Sequence, residues 1–403
     1  MIDTDICIIG AGPAGMMAAI AAAHSRTAIL ESNTAAGRKL LLTGGGRCNL
    51  THTGKNDDII KEYKPFDRFV RHCIYECPPQ KVRDFFHRRG LDTVVEPSGC
   101  VFPVTQSAKD VQHLLLEEAK KLNTKIFYDK KVTSIKKQNG HFVILSDEFS
   151  VSSQSLIIAT GGVSWPQTGS TGDGYKFAQT LGHKIIKPSA VVVPLVAAEK
   201  FCKSLAGISV PKVSLTSKIG DKKVSVADGA MLFTHSGIGG PAVFDLSREI
   251  AGFIGSGLMI FIDFLPEIKI DAIDKKITAA NPKQNILSVL SEFLPKALIK
   301  TICAENDIPE VPAGNLSRKL RKMLIEKLKN FPLTILRTEP VEKATATRGG
   351  VDIDEIDSKT MQSKICDGLF FAGEVMNIDG PCGGYNLQFA FASGFIAGKS
   401  ASQ

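Results

Sequence analysis

Apolar positions change their spacing along this chain and divide it into three stretches. The first opens with Ile6, Cys7, Ile8 and Ile9, a run with no polar break. Such a run suits a strand buried on both faces of a parallel sheet. It stops at Gly10-x-Gly12-x-x-Gly15, passes into an alanine-rich segment up to Ala23, and resumes at Thr27-Ala-Ile-Leu before Glu31. Strand, tight turn, helix and second strand are predicted in that order. Residues 80–89 and 108–122 have helical spacing, and residues 92–103, with Pro97, Gly99 and Pro103, read as extended between them. From 125 to 158 the pattern alternates (Ile126, Val132, Ile135, then Phe142 and Ile144), with Asn139-Gly140 as a hairpin signal, so a small antiparallel meander is expected. Residues 155–162 form another buried run ending in glycine. The glycine-rich loop 165–174 follows and leads to a helix with Asp173 at its N-cap.

The second stretch, residues 190–337, has a different texture. Strand-like runs at 190–196, 209–216, 231–233 and 258–263 precede helical spacing at 270–280, 284–293, 295–304 and 316–329. The third stretch resumes the pattern of the first. A short buried run, 368–374, ends in Gly373-Glu374, and Gly383-Gly384 opens a small-residue helix. The chain therefore reads as a nucleotide-binding domain in two parts, 1–189 and 338–403, interrupted by a β-rich and helical domain at 190–337. Its 403 residues are too many for one core of ordinary size, which agrees with several domains.

The chemistry begins at the glycines. Gly10 permits the turn out of the strand, Gly12 removes a Cβ that would hold a pyrophosphate off the backbone, and Gly15 lets the helix lie close. The helix N-terminus offers N–H groups to phosphate, and Glu31 is placed to accept hydrogen bonds from an adenosine ribose. The segment 37–49 holds three consecutive glycines with Arg38, Lys39, Gly45, Gly46, Arg47, Cys48 and Asn49, and reads as a second wall of the same site. Three glycine-rich strand ends (Gly10–Gly15, Ala159–Gly162 with Thr160 and Gly161, and Ala372–Glu374) suit a long ligand threaded across one sheet. FAD fits that description better than NAD. N–H groups at the start of the last helix (Gly384, Tyr385, Asn386, Leu387) would face the flavin pyrimidine, where reduction places negative charge. Ala14 and Val132 complete the expected cofactor set.

Bulk composition narrows the picture further. Hydrophobic residues make up 43% and charged residues 22%, as in ordinary globular proteins. Asp3 and Asp5 stand where a secretory signal would be basic, and the most apolar stretch, 250–262, is broken by Gly and Ser and is too short to span a bilayer. A cytoplasmic location with nine reduced cysteines is expected. The Cys73–Cys77 spacing matches neither a redox nor a zinc motif, and no bound metal is expected. The net charge of +8 permits an acidic partner. Its densest piece, Arg318 to Lys322 with Lys327 and Lys329, alternates with leucines at helical spacing and reads as the solvated face of an amphipathic helix.

With these residues in place the chain resembles the BaiN-like, aminoacetone-oxidase-type family of bacterial NAD(P)/FAD-dependent oxidoreductases. The resemblance rests on Thr43-Gly-Gly-Gly-Arg-Cys-Asn-Leu-Thr51, Ala159-Thr-Gly-Gly162, Gly169-Ser-Thr-Gly-Asp-Gly-Tyr175, Phe233-Thr-His-Ser-Gly237, Gly373-Glu374 and Gly383-Gly-Tyr-Asn-Leu-Gln388. It spans almost the whole chain, with Asn377 and Trp165 as departures from an Asp and a Tyr. It implies an α/β fold: a two-part Rossmann-type FAD domain with a parallel sheet and β-meander, carrying an inserted β-barrel-like and helical domain. It also implies FAD contacts at Gly10, Gly12, Gly15, Glu31, Arg38, Gly161, Glu374 and Asn386. The implied reaction is hydride transfer through flavin N5 on a small organic substrate: NAD(P)H-linked reduction of a conjugated C=C or, alternatively, amine oxidation. No second GxGxxG follows, so NAD(P)H is expected as a transient donor. His235, in a glycine-rich loop of the inserted domain, and Tyr385 are the candidate proton donors; a thiolate at Cys48 is a third option for chemistry near the flavin. An RNA-acting flavoprotein using the basic helix, or a flavin-binding protein without turnover, are the other readings. Aromatic residues for base stacking are not interleaved with that helix, so no nucleic-acid partner is expected.

Overall fold

The computed structural model describes residues 1–147 and 149–403. The chain folds as two compact units, Met1–Ser189 with Thr345–Gln403, and Ala190–Ala344. In the first unit β1 (Ile2–Ile9), α1 (Pro13–Ala21) and β2 (Thr27–Leu30) build the βαβ start, with Pro13 at the first helical position, where its missing N–H costs nothing. A side branch follows: β3 (Thr51–His52), helices α2 (Asn56–Lys61), α3 (Asp67–Glu76) and α4 (Pro79–His87), then β4 (Thr93–Val95) and β5 (Cys100–Pro103). Strands β3, β5 and β4 make a small antiparallel sheet. After α5 (Ala108–Lys121) come β6 (Lys125–Phe127) and the meander β7 (Ser134–Gln138), β8 (His141–Ser146) and β9 (Phe149–Ile158). Then come α6 (Asp173–Thr180) and β10 (Ile185–Val191), whose last two residues already belong to the second unit. Gly172, with φ +80°, caps α6, and Asp173 occupies the first turn instead of the cap expected for it.

The second unit is a closed antiparallel barrel with a helical annex. Around the barrel the order is β11 (Leu195–Ala197), β14 (Gly237–Gly239), β13 (Lys222–Phe233), β12 (Ser209–Ile219), β15 (Leu258–Asp263) and β16 (Phe331–Thr338). The helices are α7 (Pro241–Ile250), α8 (Ile270–Ala279), α9 (Ile286–Leu290), α10 (Lys296–Ala304) and α11 (Arg318–Lys329). Its core is its own, with Leu215, Phe233, Ile260, Phe264 and Leu324 buried together. The unit runs to Ala344, beyond the expected limit at 337. Strand β16 extends to Thr338, and the Glu339 N–H donates to the Pro194 carbonyl at 2.8 Å, which holds this stretch beside β11.

The chain then re-enters the first unit as β17 (Ala346–Val351), β18 (Leu369–Phe371) and α12 (Tyr385–Ala401). The main sheet has the order β6-β2-β1-β9, and β9 then forks: its first half pairs antiparallel with β8, its last residues pair parallel with β18. Strands β6, β2, β1, β9 and β18 thus run parallel, with β8 and β7 as the antiparallel extension. Helix α12 lies backbone to backbone on α1. A Cβ at Gly394 would stand 2.3 Å from the Ala14 carbonyl oxygen, and one at Gly398 would stand 2.0 Å from that of Ala18. Small residues in α12 are therefore a packing requirement.

Candidate functional site

An elongated cavity follows the C-terminal ends of the parallel strands in the first unit, with Ile9, Leu30, Ala159 and Ala372 at its floor. This is where an open α/β sheet receives ligands. The three glycines of the signature do different work along it. Gly10 has φ +102° and its missing Cβ would collide with the Ala159 carbonyl oxygen at 2.6 Å; a Cβ at Gly15 would lie 2.0 Å from the Gly10 carbonyl oxygen. A Cβ at Gly12 would meet nothing within 4 Å. Gly10 and Gly15 are thus closed off by protein, whereas Gly12, at the N-cap of α1, leaves space that belongs to the cavity.

Two polar networks hold the cavity's edges. At the end of β2 the buried Glu31 carboxylate accepts the Ala11 N–H through Oε2 (2.9 Å) and the Asn33 N–H and Nδ2 through Oε1 (2.9 and 2.7 Å). Asn33 Oδ1 in turn accepts from Arg38 Nη1 at 2.6 Å. At the far end Glu374 Oε2 accepts from Lys39 Nζ at 2.6 Å. Its Oε1 accepts from Ser164 Oγ at 3.1 Å and from the Thr347 N–H at 2.7 Å. Lys39 also reaches Ser164 Oγ at 2.5 Å. The two side chains are only 23% and 20% exposed, so this pair is worth more than a surface ion pair. It joins the loop after β2 to the last strand of the sheet. Behind this wall the Tyr175 phenol is buried with no hydrogen-bond partner. Burial first, and the Glu374 charge second, push its pKa up and keep it protonated.

The cavity gathers many of the residues singled out from the sequence: Gly10, Gly12, Ala14, Glu31, Arg38, Lys39, Val132, Thr160, Gly161, Gly373, Glu374, Asn386 and Leu387 line it. Gly15, Gly162 and Gly384 do not. Gly162 packs on Thr347 and Glu374, and a Cβ at Gly384 would strike the Thr51 carbonyl at 2.4 Å. The second half of the 37–49 segment also turns away. Gly44, Gly45 and Gly46 all have positive φ and fold the chain back. Arg47 then pairs with Glu96 at 2.7 Å and lies over the Phe102 ring, while Asn49 accepts the Val101 N–H at 3.3 Å. Cys48 is buried and its thiol is pushed up to about 12 by burial, which removes the thiolate considered for it. Tyr385 is buried, stacked on His52 with ring centroids 5.0 Å apart, and meets the Tyr63 ring edge-on at 6.0 Å.

His235 belongs to the second unit, exposed in the turn between β13 and β14; the neighbouring Ser236 hydroxyl donates to Glu339 at 2.5 Å. The basic helix α11 is partly spent within its own unit: Arg321 pairs with Asp274 at 2.5 Å and Lys329 with Asp263 at 2.6 Å, which leaves Arg318, Lys319 and Lys322 exposed. Polar lining residues outside the expected set include Ser32, Asn33, Lys130, Lys131 and those of the run Thr168–Asp173. The last is visible in the sequence as a glycine-rich loop, but nothing local says which way such a loop faces. Among the described residues no group of three or more His, Cys, Asp or Glu is placed to hold a metal, and no helix is long and apolar enough to cross a membrane.

Comparison with known proteins agrees with this architecture. The family described as "HI0933-like protein Rossmann domain" matches residues 4–400. A protein of Escherichia coli (strain K12) named ribosomal RNA dihydrouridine synthase is 31% identical, over 98% of this chain and 99% of its own. A Clostridium scindens protein named 3-dehydro-bile acid delta(4,6)-reductase is 32% identical, over 99% of both. Among solved structures, the 3-ketosteroid Δ1-dehydrogenase of Sterolibacterium denitrificans shares the fold, with a TM-score of 0.55 at 11% identity and full coverage of both chains. The 3-ketosteroid-Δ4-(5α)-dehydrogenase of Rhodococcus jostii RHA1 does so with 0.53 at 15%, covering 100% of this chain and 97% of its own. The match over nearly the whole length, on a cavity built at the strand ends of a two-part Rossmann domain, shows that this chain belongs to the HI0933-like family of FAD-dependent oxidoreductases.

Proposed function

We propose that this protein binds FAD in the first unit's cavity and reduces a carbon–carbon double bond conjugated to a carbonyl, with NADH or NADPH as donor. The observation that carries the reading is the open space at Gly12, at the N-terminus of α1, in a cavity that Arg38, Lys39, Lys130 and Lys131 also line. A dianionic pyrophosphate suits that place. In this reading Glu31 holds the adenosine ribose, and Asn386 and Leu387, at the start of α12 and lining the same cavity, serve the flavin end. The residues present therefore fit the dinucleotide. FAD, when bound, supplies the hydride chemistry. The protein's part is to hold its phosphates, place positive dipole where charge develops, and present a proton donor, for which His235 and Tyr385 are proposed.

Reduction is favoured over amine oxidation because the Escherichia coli and Clostridium scindens relatives both carry names of double-bond saturation. The two names differ in substrate but share a chemistry: the 5,6-double bond of uracil, like that of an enone, is conjugated to a carbonyl. A uridine in RNA is accordingly the second reading, supported by the dihydrouridine synthase name of the Escherichia coli relative. That name does not support the expectation that nucleic acid plays no part. The test is anaerobic mixing of the purified protein with NADH or NADPH while flavin absorbance is followed, then addition of a 3-keto-4-ene steroid or of ribosomal RNA lacking dihydrouridine. Bleaching by a nicotinamide and recovery with one of the two substrates supports the reading and names the substrate. A protein that releases no FAD on denaturation, or whose flavin neither nicotinamide bleaches, sinks it.

A further inference from the structure

Asn33 has no place in the glycine signature and carries no charge, yet it is the hub of the cavity's adenosine side. Its side-chain amide makes three hydrogen bonds. Nδ2 donates to Glu31 Oε1 (2.7 Å) and to the Thr168 carbonyl (3.2 Å), and Oδ1 accepts from Arg38 Nη1 (2.6 Å). The orientation of the amide is unambiguous, because the flipped group would set its oxygen against a carboxylate and a carbonyl and its nitrogen against a guanidinium. The loop it grips is shaped for the contact: Gly169 has φ +102°, and a Cβ there would stand 2.3 Å from Nδ2. Glu31, Asn33, Arg38, Thr168 and Gly169 all line the cavity.

The geometry points to Asn33 as a positioning residue for the cofactor, resting on the reading that the cavity takes FAD. It fixes the Glu31 carboxylate toward the ribose and the Arg38 guanidinium toward the pyrophosphate. It also latches the loop 165–172 across the adenosine half. Glu31 spends part of its hydrogen-bonding capacity on Asn33 and Ala11, so it meets a ribose already oriented; the cost of ordering it is met in folding, not in binding. The latch makes cofactor release depend on breaking the Asn33–Thr168 contact.

Asn33→Asp tests this with an isosteric change. The carboxylate keeps Arg38 but repels Glu31 and the Thr168 carbonyl. Apoprotein is titrated with FAD and, separately, with ADP, which carries only the adenosine half; FAD release on dilution is followed by flavin fluorescence; the melting temperature of the apoprotein is recorded. The expected result is FAD release at least about tenfold faster and ADP affinity weaker by a similar factor, the worth of one charge-assisted hydrogen bond. The apoprotein melting temperature should stay within a few degrees of wild type. Asn33→Ser, which removes the amide without adding charge, gives the same two changes and serves if the Asp variant does not fold. Unchanged FAD release and ADP affinity in a folded variant overturn the role of Asn33 alone. A wild-type protein that takes up no FAD overturns the reading of the cavity and this inference with it.

Discussion

At the scale of single residues, the three signature glycines separate cleanly by what surrounds them, and the separation is testable. Gly12→Val puts a branched side chain into space that only the cavity occupies. FAD retention after purification should fall to background while the circular dichroism spectrum keeps its shape. His235→Ala belongs to the proposed chemistry: flavin reduction by nicotinamide stays, and reoxidation by the organic substrate slows by about 10²–10⁴-fold in stopped flow, the usual worth of a general acid. His183 makes a prediction about pH. It is buried, with Nδ1 on Glu355 (3.0 Å) and Nε2 on Ser363 Oγ (2.8 Å). The Ser363 oxygen already accepts the Ile365 and Cys366 N–H groups, so its hydroxyl proton goes to Nε2, and the imidazole is neutral with its proton on Nδ1. Burial lowers its pKa below the ordinary 6.5, more than Glu355 raises it. Above pH 6.5 both folded and unfolded chains hold it neutral and the contacts count in full. Below that value the unfolded chain takes a proton that the folded protein resists, so stability falls as pH drops. The urea midpoint should decline between pH 7.5 and pH 5.5 by more in wild type than in His183→Gln.

At the scale of elements, the parts most legible in the sequence are those whose pattern is dictated locally. The buried run of β1, the glycine turn and the second strand are enforced by a sheet covered on both faces, and the period shows it. The long hairpin β12–β13 is legible only at its two apolar ends. Its outer half reads Lys222-Lys-Val-Ser-Val-Ala-Asp-Gly, polar because that half is largely exposed, although Gly220-Asp221 between Ile219 and Lys222 is itself a two-residue hairpin signal. The direction of the Gly44–Gly46 turn is not legible at all. Consecutive glycines license left-handed backbone without saying where it points, so Arg47, Cys48 and Asn49, expected as cavity wall, lie on the other side of it. Small residues in α12 are visible in the sequence, but their partner is not. Gly394→Leu should cost about 3 kcal/mol or more, because backbone on α1 cannot yield as a side chain would, and cofactor retention should fall with it. Thermal melts with and without added FAD check both.

At the scale of the whole molecule, two separate cores imply that the halves can be parted. Residues such as Ile8, Phe142 and Phe371 belong to one buried cluster and Leu215, Phe233 and Phe264 to another. Replacing residues 190–344 by a short glycine-serine linker should leave a yellow, folded protein that has lost turnover. A colourless product would show that the first unit needs the second to form its cavity. The interruption has a consequence for synthesis as well. The second unit is contiguous and can fold as soon as it leaves the ribosome. The first unit has β1 and α1 early but receives Gly373, Glu374 and the start of α12 only after residue 369. Until then the nascent chain exposes the α1 surface that Gly394 and Gly398 later cover and has no complete seat for a dinucleotide. Flavin loading is therefore a late event in the life of each molecule, and a polypeptide released before α12 is made is an apoprotein with an apolar helix face open to chaperones and proteases.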